Sequence, residues 1–241
     1  MNTEHHRLSV GDIHIEVVRK QIKNLHLGVY PPHGRVRVAA PPSVSDEAIR
    51  LAVVTRMGWI KRQQAKFAAQ ARQSSRAYVS GETHFHLGTA YRLRLVNRKG
   101  AAQVKIAGDR LELSVPPGSD RDFRERVFQR WQRQELRDRA QPLVDHWAHA
   151  LGVPTPAFGI KRMRTKWGSC STSAGRIWLN LELAKKPPAC IDYLICHEVT
   201  HLIERSHGDR FIALLDRHMP RWRLIRAELN KEPLGPEKWD H

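Results

Sequence analysis

The chain has 241 residues, a net charge of +17 and a hydrophobic content of 41%, with 7% aromatic residues. These values suit one large globular domain or two small ones and exclude an intrinsically disordered chain. No apolar run approaches the ~18 residues that a membrane span needs, and the N-terminal MNTEHHRLSV lacks the apolar core of an export signal, so a cytoplasmic protein without membrane contact is expected.

Residues 13–18 (IHIEVV) alternate apolar and polar side chains, the period of a half-buried strand. Residues 25–30 and 35–39 do the same on either side of PPHG, which predicts a hairpin. A helix opens at Ser45, an N-cap followed by Asp46 and Glu47 at the positive end of the dipole. Ile49, Val53, Met57, Ile60 and Phe67 repeat at near-helical spacing and carry it to about Gln73. Strands return at 78–79, 84–87, 91–96, 103–106 and 110–115, with GDR (108–110) as a tight turn. Pro116, Pro117 and Gly118 then mark a boundary between a β-rich region, 1–118, and a second domain, 119–241.

From Arg121 the pattern is helical. Phe123, Val127, Trp131, Leu136, Leu143 and Trp147 form an apolar stripe on a long helix whose many arginines read as a solvated face. Pro154 and Pro156 end it. Residues 158–163 and 176–183 are predicted strands joined by a serine- and glycine-rich loop, and Pro187 and Pro188 introduce another helix.

That helix carries HExxH: His197, Glu198 and His201. Four residues turn a helix by roughly 400°, so the two histidines share one face and can hold one zinc ion. Glu198 follows the first ligand directly and can take a proton from a metal-activated water. A catalytic zinc needs a third protein ligand and an open position. His207 is the leading candidate, provided the helix stops at Ser206-His207-Gly208 and the chain turns back, because six continuous helical residues would advance roughly 9 Å. Glu204, His218 and Glu228 are alternatives.

The three cysteines, Cys170, Cys190 and Cys196, are odd in number and contain no CxxC pair. They argue for a reducing compartment and against a disulfide framework or a cysteine zinc knuckle. Cys170 lies in WGSCS (167–171), where small residues permit close backbone approach; as a fourth ligand it would close the metal site, whereas a packed thiol leaves it open. The strand after this loop, with an exposed edge, could take an extended peptide by strand addition. Arg164, Asn180 and Tyr193 are candidates for binding substrate backbone or a developing oxyanion.

The segment 163–211 resembles the YgjP-like metallopeptidases, relatives of SprT-like and WLM-type zinc proteases. The resemblance rests on WGSC with a following serine, the IxLN strand (177–180), DYLICHEVTH and SHGDRF (206–211), and in the first half on RVRVAAP (35–41), Trp59-Ile60 and YVSGETHFHLG (78–88). It implies an α+β protein: a β-rich N-terminal half, then a compact zincin-like helical catalytic domain with a small sheet and an HExxH helix. It also implies zinc on His197, His201 and His207, and Glu198 as base. Metzincins place glycine three residues after the second histidine; here that residue is Glu204, which disfavours them. The expected function is zinc-dependent hydrolysis of protein or peptide substrates by an endopeptidase. The charge of +17 keeps open contact with DNA or another polyanion, and with it a second reading: a basic nucleic-acid-associated or regulatory protein whose zinc site is structural or vestigial.

Overall fold

The computed structural model describes residues 4–30, 34–69, 76–163 and 166–231, with side chains for all of these except Glu4 and 66–69. The architecture is α+β, and the chain forms two compact units, one within residues 1–73 and one within residues 74–236.

The first unit opens with β1 (Glu4–Val10), β2 (Ile13–Arg19), β3 (His26–Tyr30) and β4 (Arg35–Ala40), in sheet order β1-β2-β4-β3. Gly11, at φ +56°, makes the turn between β1 and β2. Two helices follow, α1 (Asp46–Thr55) and α2 (Met57–Ala69). Ile15, Val17, Val36 and Val38 alternate onto one sheet face and meet Ile49, Val53 and Ile60 from the helices. Ser45 caps α1 as its sequence predicts, its hydroxyl accepting from Ala48 N–H. The single helix expected over 45–73 is two, broken at Arg56, where ψ opens to 12°. The break follows Val53-Val54-Thr55, a β-branched run that crowds the helix. Phe67 and the expected end at Gln73 lie outside the described side chains and residues respectively.

The second unit begins with β5 (Thr83–His86), β6 (Thr89–Asn97), β7 (Gln103–Ala107) and β8 (Arg110–Val115), in order β5-β6-β8-β7. The strand expected at 78–79 is irregular chain that leads into a turn at 80–81: Tyr78 has φ +55°, and the carboxylate of Glu82 accepts from the Ala77 and Tyr78 N–H groups. The Pro116–Gly118 turn leads into α3 (Arg121–Leu151), capped by Asp120 at one end and by left-handed Gly152 at the other. This helix serves two cores. Val127 and Phe128 pack with Leu93, Leu111 and Leu113 of the four-stranded sheet. Leu136, Ala140, Val144 and Trp147 pack with the elements that follow.

Those elements are β9 (Ala157–Lys161), β10 (Gly168–Ser171) and β11 (Arg176–Asn180), a three-stranded sheet in order β10-β11-β9, then α4 (Pro188–Thr200), α5 (Asp209–His218) and α6 (Trp222–Leu229). The strand expected to run to 183 stops at Asn180, whose carboxamide oxygen accepts from Glu182 N–H and starts a 3-10 turn over Leu181–Lys185. Pro188 sits at the first turn of α4, where its missing N–H costs nothing. Nine of the thirteen α4 residues are buried, among them Ile191, Ile195, Cys196 and Val199, so α4 is a central helix enclosed on nearly every side. Trp147 of α3 fastens it by donating from Nε1 to Asp192 Oδ1 at 2.7 Å. Among the described residues no helix is long and apolar enough to cross a membrane.

Candidate active site

α4 ends at Thr200. The Thr200 hydroxyl donates to Cys196 O, and the backbone then folds through short bonds from Leu202 N–H to Val199 O and from Ile203 and Glu204 N–H to Thr200 O. The chain reverses and enters α5 at Gly208. Gly208 has φ −77°, so it acts as an extended N-cap of α5 and its left-handed freedom is not used. The reversal brings His207 back against α4. His207 Nε2 lies 3.1 Å from His197 Nε2, and one ligand nitrogen from each of His197, His201 and His207 falls within 4.8 Å of the others.

The ring protonation pattern follows from the partners. His201 Nδ1 lies 3.0 Å from the carbonyl oxygen of Glu204. A carbonyl only accepts, so Nδ1 carries the hydrogen and Nε2 keeps its lone pair for a metal. Burial pushes the His197 imidazole down to about 3, helped by the neighbouring His201 and His207, and burial also lowers His201. Both rings are therefore neutral at ordinary pH, the form that binds a cation. Two imidazole nitrogens bound to one tetrahedral zinc at about 2.0–2.1 Å sit about 3.3 Å apart. The observed 3.1 Å matches that separation. Lone pairs so close repel unless a shared cation or proton lies between them. The residues present fit the metal.

Phe211, buried in α5, touches all three rings: its centroid is 5.0, 4.7 and 4.8 Å from those of His197, His201 and His207. Tyr193, one turn before His197, meets that ring edge-on at 5.8 Å and stacks on Trp222 of α6. These aromatic walls restrict the imidazoles to one arrangement.

Glu198 is 4% exposed, and among the described residues its carboxylate accepts no hydrogen bond. Burial raises it to about 7, against a smaller opposing pull from Lys166. β10 makes room for it. A β-carbon on Gly168 would stand 2.5 Å from Glu198 Oε1, so glycine here leaves the carboxylate its present position.

The other sequence candidates separate clearly. Asn180 is fully buried and spends its whole carboxamide on the chain. Nδ2 donates to Met163 O and Lys166 O, and Oδ1 accepts from Met163 N–H and Glu182 N–H. Nothing is left for a substrate, and the residue clamps the loop before β10. Tyr193 stays beside the triad as a packed ring whose hydroxyl burial pushes up to about 12. Arg164 lies outside the described residues. Cys170 does not join the triad, and burial first, then Glu198, pushes its thiol up to about 11, where it is protonated and a poor ligand. Glu204 offers its backbone oxygen to His201 while its carboxylate takes the N–H and hydroxyl of Ser206. Glu228 pairs with Lys231. The strand edge beside Glu198 belongs to β10, while β11, expected to provide it, is central and paired on both sides. β10 went unseen because GSCS offers no apolar alternation.

A carboxylate kept dry beside three converging imidazoles is the equipment of a metallopeptidase. Residues 23–232 match the model of the YgjP-like metallopeptidase domain, and the chain belongs to that family. Two solved structures are similar over a smaller part. Abylysin of Pyrococcus abyssi, a metallopeptidase zymogen, is 19% identical with a TM-score of 0.37, covering 39% of this chain and 98% of its own. Jannalysin of Methanocaldococcus jannaschii, also a metallopeptidase zymogen, is 21% identical with a TM-score of 0.34, covering 37% of this chain and 92% of its own. No curated protein is a significant match.

Proposed function

We propose that the chain is a zinc-dependent endopeptidase of the HExxH type, with the metal on His197, His201 and His207 and Glu198 as general base. The observation that carries this is the convergence of three imidazole nitrogens within 4.8 Å beside a buried carboxylate that has no hydrogen-bond partner among the described residues. Zinc suits an all-imidazole set with one place left over. When bound it supplies Lewis-acid polarisation of the scissile carbonyl and acidifies water. Glu198 takes the proton of the attacking water and returns it to the leaving amine. A carboxyl raised toward 7 accepts a proton more readily than an ordinary one and still releases it near neutral pH. Tyr193 and Arg164 are the side chains proposed near the substrate carbonyl, and the free edge of β10 can receive an extended protein or peptide chain as an added strand.

On this reading residues 119–241 carry the chemistry and 1–118 form the β-rich region before them. A purely structural zinc site would want a fourth protein ligand, and no further His, Cys, Asp or Glu joins the three among the described residues.

The test measures bound zinc and casein cleavage in parallel. Glu198→Gln should keep zinc and the fold while hydrolysis drops by about 10²–10⁴-fold, the range of a lost general base. His207→Ala should lose zinc on dialysis. Undiminished cleavage by the first variant, or unchanged zinc retention by the second, refutes the assignment.

A further inference from the structure

We infer that the solvent face of the first half of α3 binds the phosphate backbone of a nucleic acid. Arg126, Arg130, Arg133 and Arg137 are spaced by four, three and four residues. At ~100° per residue they fall within an arc of about 60° and form one row about 16 Å long. Arg126, Arg130 and Arg137 are exposed and Arg133 is half-buried.

None of the four has a carboxylate partner among the described residues. Arg126 lies over the Phe123 ring and Arg137 over Phe158, with guanidinium carbons 5.9 Å from each centroid, contacts that fix the heads without neutralising them. The acids of the same stretch are turned elsewhere. Glu135 faces His86 at 3.7 Å, and Asp138 accepts from Gln134. This departs from an ordinary solvated helix, where acids and bases alternate four residues apart.

The chemistry of the row selects its partner. Arginine offers a planar fork of donors that meets phosphate oxygens two at a time. One strand of a duplex presents a phosphate about every 3.4 Å of axis, so a ~16 Å row faces about five of them. A protein partner would want an apolar anchor at the centre of its contact. Among the described residues the exposed large hydrophobic side chains are Leu51, Val54, Trp59, Val79, Ile106 and Leu224, and none is on α3. None of the four arginines belongs to the histidine cluster or contacts Glu198 in any hydrogen bond or ion pair, so this inference and the proposed peptidase activity fail or hold separately.

The experiment follows binding of the full chain to a fluorescein-labelled 30-base-pair DNA, the matching single strand and an RNA duplex, from 50 to 300 mM salt. A variant with all four arginines changed to Gln is compared with one in which exposed Arg98, Lys99, Lys105 and Arg110 are changed to Gln, an equal loss of charge elsewhere. Gln keeps helix propensity, and zinc content and melting temperature check both folds. Four phosphate contacts predict a log–log salt slope shallower by about 3 to 4 in the first variant, and a slope near that of wild type in the second. Binding to DNA but not RNA, or the reverse, names which phosphodiester strand is taken and supports the inference either way. Equal weakening in both variants would show bulk charge at work and overturn it. So would absence of wild-type binding at 50 mM salt, or tighter binding to polyglutamate or to phosphatidylserine vesicles than to any nucleic acid.

Discussion

A methyl group at residue 168 would place carbon 2.5 Å from Glu198 Oε1 and 2.9 Å from its Cγ and Cδ. Either the carboxylate or strand β10 must move. Glu198 is the softer of the two, since its oxygens accept no bond from the described residues. Gly168→Ala should therefore keep zinc on the histidines, leave melting within a few degrees, and lower casein hydrolysis by about 10²-fold, the usual result of a ~1 Å misplacement of a reacting group. Full hydrolysis in that variant would mean that the position of Glu198 does not limit the reaction. The residues of this site differ in how openly the sequence displays them. His197, Glu198 and His201 were legible because their arrangement is local: a helix and a spacing determine it. His207 needed one further step, a reversal after α4, which the sequence placed at Ser206-His207-Gly208 whereas the helix already ends at Thr200 and Gly208 caps the next one. Phe211, which walls all three rings, and Gly168, which clears space for Glu198, gave no such signal beyond their place in SHGDRF and WGSCS. Asn180 misled because a polar side chain beside a predicted site looks available until its four bonds to the chain are counted.

At the level of elements, the contact of β5 with α3 buries a titratable group. His86 is 2% exposed, lies against the Trp131 ring at 4.6 Å, and has neither ring nitrogen hydrogen-bonded, with Glu135 no nearer than 3.7 Å. Burial pushes it down to about 4, with Arg139 adding to the effect. The folded protein thus holds His86 neutral, while the unfolded chain takes up a proton near 6.5. Stability from this group is complete above about 6.5, falls as pH drops, and is gone below about 4, a change of about 3 kcal/mol. Burial lowers His84 too, although Glu82 accepts from its ring and opposes the shift. His86→Phe keeps the stack on Trp131 and removes the proton site, so its melting temperature should decline less between pH 7 and 4.5 than that of wild type. Parallel curves would place the acid sensitivity elsewhere. Elements were read most surely where side chains alternate or repeat. α3 is marked at both ends and by its stripe, and β2, β4 and β8 alternate in their burial. β1, with EHH at its start, and β10, with GSCS, exist through pairing to β2 and β11, a non-local cause that local patterns do not carry.

For the whole molecule, each compact unit has a core of its own, Ile15, Val38 and Ile60 in the first, and in the second the two clusters that α3 spans. The three histidines all lie in the second unit, two on or at the end of α4 and one beyond its reversal. An unfolded chain cannot hold them together, so metal binding adds to the stability of that unit alone. At a free metal concentration 100 times the dissociation constant, the gain is about 2.7 kcal/mol. A unit of this size shifts by about 2–4 °C per kcal/mol, so removing zinc with a chelator should lower one calorimetric transition by about 5–10 °C. The other transition should stay where it was. Zinc should restore the first and magnesium should not, because imidazole donors suit the softer ion. His207→Ala should melt at the chelated temperature with or without zinc. If chelation shifts neither transition, the three imidazoles do not share a tightly held ion. If it shifts both together, the two cores unfold as one, and the metal braces the entire chain.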